Sequence, residues 1–218
     1  MNLFKKEKRE DEIKVIHPPV LGWLEKKLSD KEMEYLWKCI DNRKESYKSK
    51  LAGQIHESNK LVDKSNWFWQ HTLAPLCIKY KEEFRNLGSN IPVNQKHPYY
   101  LQQFWVNYQK EGEFNPIHDH TGVYSFVVWM KIPTRHFEQN KNPISLKSND
   151  HLISAFQFHY VNILGGNSNH TYEMNPEMEG TILFFPAKLR HCVYPFYNCD
   201  EDRISISGNI TLNTTKLL

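Results

Sequence analysis

The chain is predicted to be mainly β, an antiparallel barrel or sandwich with a helical front packed on it. Three observations predict this. Beyond Pro98 the sequence breaks into short runs rich in β-branched and aromatic residues, separated by turn formers. No long helical period interrupts that half. Ahead of it, apolar residues recur at helical spacing behind a capping signal. An aromatic share of 13% also favours β packing. The division falls at residues 1–97 for the helical extension and 98–218 for the β core. Nothing between them reads as a flexible linker, so one decorated domain is expected.

In chain order, Asn2 to Lys14 mixes both charge signs and reads as a solvated terminus, and Pro18-Pro19 breaks the opening segment. Ser29 with Glu32 three residues on is a capping box. Met33, Leu36, Trp37 and Ile40 then set the rhythm of a helix of about three turns. Asn42 to Lys50 is polar, a loop or frayed helix. A second helix runs from Trp67 or Gln70 to Phe84, with Leu73, Leu76, Cys77 and Tyr80 on one side. Pro75 implies a kink there, or a true start near Ala74. Leu87-Gly88-Ser89-Asn90 ends it. Trp67, Phe68 and Trp69 are expected to pack between front and barrel. The expected strands are Leu101 to Tyr108, Val123 to Ile132, Ala155 to Ile163, Thr181 to Phe185 and Arg203 to Leu212.

Bulk properties exclude several classes. The net charge is only +3, with no basic stripe interleaved with aromatics, which argues against nucleic-acid binding. No run of about twenty apolar residues exists, so no membrane span is expected, and no signal peptide is legible. Four cysteines without CxxC spacing do not make a disulfide scaffold at this length. A cytoplasmic setting with reduced thiols is expected.

The chemistry concentrates in Phe114–Gly122, FNPIHDHTG. If this stretch is extended, His118 and His120 leave one face and Asp119 the other. That spacing suits two imidazoles on one metal ion. Thr181 to His191 reads as an apolar strand, a proline-led turn and then histidine, so His191 can enter from a neighbouring strand and complete a three-ligand face. Such a face leaves positions open for substrate or oxygen. Along Arg203–Asn209 (RISISGN), Arg203, Ser205, Ser207 and Asn209 share a face against Ile204, Ile206 and Ile210. An inward arginine fork suits a carboxylate, with Ser205 sharing the load. Asn115 and Thr121 are expected to shape the turns around the metal loop. Ser125 has the parity to approach the pocket. Cys192 should point away from the metal as a buried neutral thiol. The other histidines have no partners at comparable spacing, although His170 could border the entrance.

Gly112–Gly122, the strand Tyr124 to Pro133, Gly180–Phe196 and Arg203–Asn209, in this order, resemble the 2-oxoglutarate and iron(II)-dependent oxygenases. In particular they look like a small family of oxygenases found in tailed phages of marine cyanobacteria and in some bacteria. The resemblance covers roughly residues 99 to 212 and only loosely touches the helical front. It implies a double-stranded β-helix, the cupin-like jelly roll. It also implies His118 as first metal ligand, His191 as distal histidine, and Arg203 on the far carboxylate of 2-oxoglutarate. The superfamily pattern is histidine, any residue, then aspartate or glutamate, but His120 stands in the third position here. Either His120 is the ligand, giving a three-histidine site, or Asp119 binds instead; strand alternation favours His120. In similar oxygenases a tyrosine on the strand before the motif hydrogen-bonds 2-oxoglutarate. Tyr108 holds that place, with Asn107 as its opposite-parity rival.

The implied activity is an Fe(II)- and 2-oxoglutarate-dependent dioxygenase that hydroxylates a substrate with release of succinate and CO2. The substrate would be an unidentified protein, peptide or small molecule, with a peptidyl residue favoured. The setting would be the cytoplasm, that of the host if the protein is viral. Two other readings remain open: a cupin-type metalloenzyme that does not use 2-oxoglutarate, and a non-enzymatic jelly-roll structural protein.

Overall fold

The structure, a computed structural model, describes residues 22–84, 91 and 96–217. The expectations for Asn2–Lys14, for Pro18-Pro19 and for the helix stop at 87–90 lie outside the described residues. Among the described residues, no helix is long and apolar enough to cross a membrane.

Among the described residues, ten strands form two antiparallel sheets. They are β1 (Leu24–Lys27), β2 (Glu57–Lys60), β3 (Tyr99–Gln109), β4 (Asn115–His118), β5 (Tyr124–Lys131), β6 (Ala155–Val161), β7 (Asn167–Glu173), β8 (Thr181–Pro186), β9 (Arg190–Val193) and β10 (Arg203–Leu212). The larger sheet has the order β1-β8-β5-β10-β3-β2, and the smaller β4-β9-β6-β7. This is the jelly-roll layout of the double-stranded β-helix. Helices α1 (Asp30–Asp41), α2 (Ala74–Glu83) and the short α3 (His136–Gln139) complete the fold.

The larger sheet is covered on both faces, and its strands β5 and β8 read as nearly unbroken apolar runs. Alternation sends Ile182 and Phe184 of β8 into one core, and Leu183 and Phe185 into the other. The first core lies under the helices, where Leu36 and Ile40 of α1 and Leu76, Cys77 and Tyr80 of α2 are buried. Phe68 is fully buried there and stacks on Phe104. The second core lies between the sheets and includes Trp129, Phe156, Phe158 and Phe185.

The capping box forms as the sequence implies. Ser29 N donates to Glu32 Oε2 at 2.8 Å, and Ser29 Oγ accepts from Glu32 N. Pro75 stands in the first turn of α2, but Phe68, Leu73 and Ala74 ahead of it already hold helical φ/ψ. A π-helical turn, Trp69–Leu73, leads into that helix.

The front is not wholly helical, which corrects the sequence expectation. β1 and β2 are both edges of the larger sheet, paired with β8 and β3. Both are four-residue strands of mostly polar residues, too short and too wet to carry a period-2 signal. Strand β7 is a further strand, not among those expected from the sequence.

Candidate metal centre

His118 and His191 are cross-strand partners on β4 and β9. His120 lies two residues beyond β4, and its backbone N–H donates to Ala187 O at 2.8 Å. That bond keeps the chain extended past the strand end, so His120 joins His118 on one face. Gly122 then turns the chain with φ +97°, and a Cβ there would meet Ile210 O at 2.7 Å, so only glycine fits. The ligand-capable nitrogens of His118, His120 and His191 lie within 4.8 Å of one another.

Each imidazole is oriented through Nδ1. His118 Nδ1 donates to Pro116 O at 2.7 Å, His191 Nδ1 to Leu189 O at 2.9 Å, and His120 Nδ1 to Asn209 Oδ1 at 2.9 Å. Carbonyl oxygens only accept, so the proton is fixed on Nδ1 and the lone pair on Nε2. Ser125 Oγ also donates to Asn209 Oδ1 at 2.7 Å, and Asn209 Nδ2 donates to Gln103. These are the outer contacts that orient metal-binding histidines.

Burial holds all three rings neutral. His120 is pushed down to about 4, by burial first and by His118 next. Burial likewise lowers His118, and it puts His191 well below the ordinary range, with His118 and His120 adding to the effect. Trp105 stacks on His120 with ring centroids 5.7 Å apart, and Phe185 lies edge-on to His191 at 5.0 Å. Nε2 of His120 and Nε2 of His191 stand 3.1 Å apart. Two lone pairs at that distance suit a shared cation rather than a bond to each other. The donor set therefore fits a divalent ion that accepts imidazole, iron included.

Asp119 points the other way. Its carboxylate takes Lys188 Nζ at 2.9 Å on the surface, and this bond holds it below the usual carboxylate range. It is not one of the converging groups.

The three rings open on a cavity of about 310 Å³ between the sheets. Gln103, Trp105, Asn107 and Gln109 of β3 line it beside Asn209, Ser207 and Ser205 of β10, which pair with the first three in that order. Asn115 and Thr121 line it too. Asn107 is thus the inward residue, and its Oδ1 accepts from Ser58 Oγ at 2.7 Å. Tyr108 is not in the site. It packs at the edge of the helical core under Arg43, which corrects its assignment as a cosubstrate contact. The physical reason is parity: β3 keeps register with β10 from Gln103 to Gln109, so the odd-numbered residues of that stretch face in.

Arg203 is 1% exposed and lies beyond the open cavity, behind Gln109. Its Nη1 reaches Gln109 Oε1 at 3.5 Å and Tyr194 O at 3.4 Å, and its Nη2 reaches Ser154 O at 3.3 Å and Ser154 Oγ at 2.5 Å. Every acceptor is neutral, and among the described residues Nε has no hydrogen-bond partner. Among the described residues no carboxylate pairs with it, neither Asp200 nor Asp202. Burial alone pulls this guanidinium down to about 9. A buried cation without a counter-charge is costly, and an anionic guest would offset that cost.

Three further placements complete the picture. Cys192 is buried on the outer side, its Sγ 3.3 Å from His159 Nε2, and burial raises its thiol. His170 packs against Trp23 on β7 and does not line the cavity, contrary to expectation. Sequence reasoning missed Lys50–Ile55, a strap over the cavity mouth. It is held by Gln54 N donating to Phe114 O at 2.9 Å. Its only sequence signal is Gly53, whose added Cβ would lie 3.1 Å from Ile55 Cδ1. Asn209 as the partner of His120 was legible only as an inward residue.

The fold and the site together define a jelly-roll protein with a three-histidine centre beside a polar cavity. A family model described as "Putative 2OG-Fe(II) oxygenase" matches residues 103–209. A prolyl-4-hydroxylase of Pseudomonas putida aligns over 88% of this chain and 94% of its own, at 12% identity and a TM-score of 0.51. That likeness is one of fold. The viral collagen prolyl hydroxylase of Paramecium bursaria Chlorella virus-1 covers 86% and 94% at 16% identity with a TM-score of 0.44. HygX of Streptomyces hygroscopicus covers 89% and 84% at 10% identity with a TM-score of 0.46. No curated protein matches the sequence.

Proposed function

We propose that the protein is an Fe(II)- and 2-oxoglutarate-dependent dioxygenase that hydroxylates a peptidyl residue. The observation that carries this reading is the convergence of three neutral imidazoles, each fixed by a bond at Nδ1, beside a buried cation that lacks a counter-ion. His118, His120 and His191 would hold the iron, with Asp119 left on the surface. Fe(II), when bound, supplies the chemistry that couples oxidative decarboxylation of 2-oxoglutarate, giving succinate and CO2, to C–H hydroxylation.

The chain's own residues bind and orient. Arg203 would take the distal carboxylate after Gln109 swings aside, with Ser205 and Asn107 assisting from the cavity wall. Trp105, Phe156 and Phe185 keep the site dry and low in dielectric, which strengthens the charge pairing. The lean to a peptide rests on an open groove that shares Leu51, Gly53 and Ile55 with the cavity and could seat an extended chain. Kinship with the oxygenases of cyanobacterial phages rests on the Gly112–Gly122 and Arg203–Asn209 motifs. With four free cysteines, a cytoplasmic setting fits.

A second reading, a cupin-type metalloenzyme that does not use 2-oxoglutarate, is favoured by the uncharged ligand set. Arg203 argues against it, since a buried guanidinium calls for an anion. The test is incubation with Fe(II), O2 and labelled 2-oxoglutarate, with succinate as the readout, followed by mass spectrometry of lysate proteins. Iron-dependent succinate and a gain of one oxygen on a protein are expected. Turnover without 2-oxoglutarate would favour the cupin reading, and oxygen gained only by a metabolite would reject the peptide.

A further inference from the structure

Arg203 is gripped by a residue with an unusual backbone. Ser154 is fully buried and holds φ at +62°, in the left-handed region that residues with a Cβ rarely adopt. Both of its oxygens accept from the same nitrogen, Arg203 Nη2, the carbonyl at 3.3 Å and the hydroxyl at 2.5 Å. Its own N–H donates to Pro195 O at 2.8 Å, and its hydroxyl lies 3.3 Å from Thr134 Oγ1. The residue is therefore clamped from three directions. Strained conformations persist where their surroundings over-determine them, and they cluster at ligand clamps.

The guanidinium lies over the Phe196 ring, 4.8 Å from its centroid, but its remaining hydrogen bonding is loose. Its contacts to Gln109 and Tyr194 are long, and among the described residues Nε has no hydrogen-bond partner. One side of the fork is anchored, while the other makes only long contacts and faces the cavity from behind Gln109.

We propose that Ser154 is a positioning residue for the cosubstrate: it fixes Nη2 of Arg203 so that the remaining donors meet the distal carboxylate of 2-oxoglutarate. This rests on the reading of Arg203 as the carboxylate anchor. A serine that merely satisfied a buried charge would affect stability and nothing else.

Two variants separate these roles. Ser154→Gly removes the hydroxyl and relieves the left-handed strain; Ser154→Ala removes the hydroxyl and keeps the strain. Calorimetric titrations would use the Ni(II)-loaded protein with two ligands, 2-oxoglutarate and 2-oxobutyrate, which lacks the distal carboxylate. In both variants 2-oxoglutarate affinity should fall about 10-fold, or about 1.4 kcal/mol, while Ni(II) and 2-oxobutyrate affinities stay within twofold of wild type. Ser154→Gly should melt at or above Ser154→Ala, so it carries the test if the alanine variant does not fold. Unchanged 2-oxoglutarate affinity in a folded variant overturns the proposal, and so do equal losses for both ligands. Wild-type protein that binds Ni(II) but not 2-oxoglutarate would instead overturn the reading of Arg203, and this proposal with it.

Discussion

Asn209 Oδ1 accepts the Nδ1 proton of His120 at 2.9 Å, and that bond decides which nitrogen of the ring faces the cavity. Loss of such an outer contact typically costs 10–100-fold in metal affinity. Asn209→Ala should therefore weaken Ni(II) or Mn(II) binding by about 10-fold or more, measured by titration of folded protein. Ser125→Ala, which removes only the second donor to the same oxygen, should cost less.

Asp119 and His120 make opposite predictions. His120→Ala should abolish tight metal binding, because it removes one of three converging nitrogens. Asp119→Ala should leave metal affinity within about twofold, because its carboxylate is engaged by Lys188 at the surface and a surface pair contributes little. Equilibrium dialysis of the two variants side by side distinguishes a three-histidine centre from a histidine–aspartate one.

Arg203→Met should reduce 2-oxoglutarate affinity by roughly 100-fold, since charge-assisted hydrogen bonds contribute about 1.5–3 kcal/mol each. Metal affinity should stay unchanged, because no guanidinium nitrogen is a ligand. Asn107→Ala should weaken the cosubstrate several-fold, whereas Tyr108→Phe should not, because Tyr108 packs on the far face of β3. Calorimetry on the metal-loaded variants reads all three.

Much of this was legible in the sequence because it rests on period-2 alternation. His118 and His120 share a face, Asp119 takes the other, and Arg203, Ser205, Ser207 and Asn209 line up on β10. What failed also has physical causes. Tyr108 and Asn107 differ only in parity, and parity on β3 is fixed by its pairing with β10, a contact about a hundred positions away in the chain. β1 and β2 are edge strands whose residues are stabilised by pairing with β8 and β3, not by local propensity. The strap at Lys50–Ile55 has no periodic pattern, and it reaches the site through one bridge to Phe114.

Glu32 ties the capping box to stability. Burial raises its carboxyl, but bonds from Lys26, from Ser29 and from Thr72 outweigh that and bring it to about 2. The unfolded carboxyl protonates near its ordinary value of 4.5. Between those values the unfolded state binds more protons, so stability rises with pH there, is complete above about pH 5, and is lost toward pH 2. The contribution is of the order of 2 kcal/mol. Glu32→Gln should lower stability at pH 7 and flatten this dependence by about that amount, as checked by urea denaturation at pH 3 and pH 7.

The central claim is that three histidines hold a metal on which 2-oxoglutarate depends for binding. Anaerobic titration of 2-oxoglutarate into Fe(II)-loaded protein, metal-free protein and Fe(II)-treated His191→Ala tests it most directly. The account predicts one equivalent taken up by the Fe(II)-loaded wild type and at least about 10-fold weaker uptake by the other two. Equal uptake by all three samples, or none by the Fe(II)-loaded wild type, would contradict it.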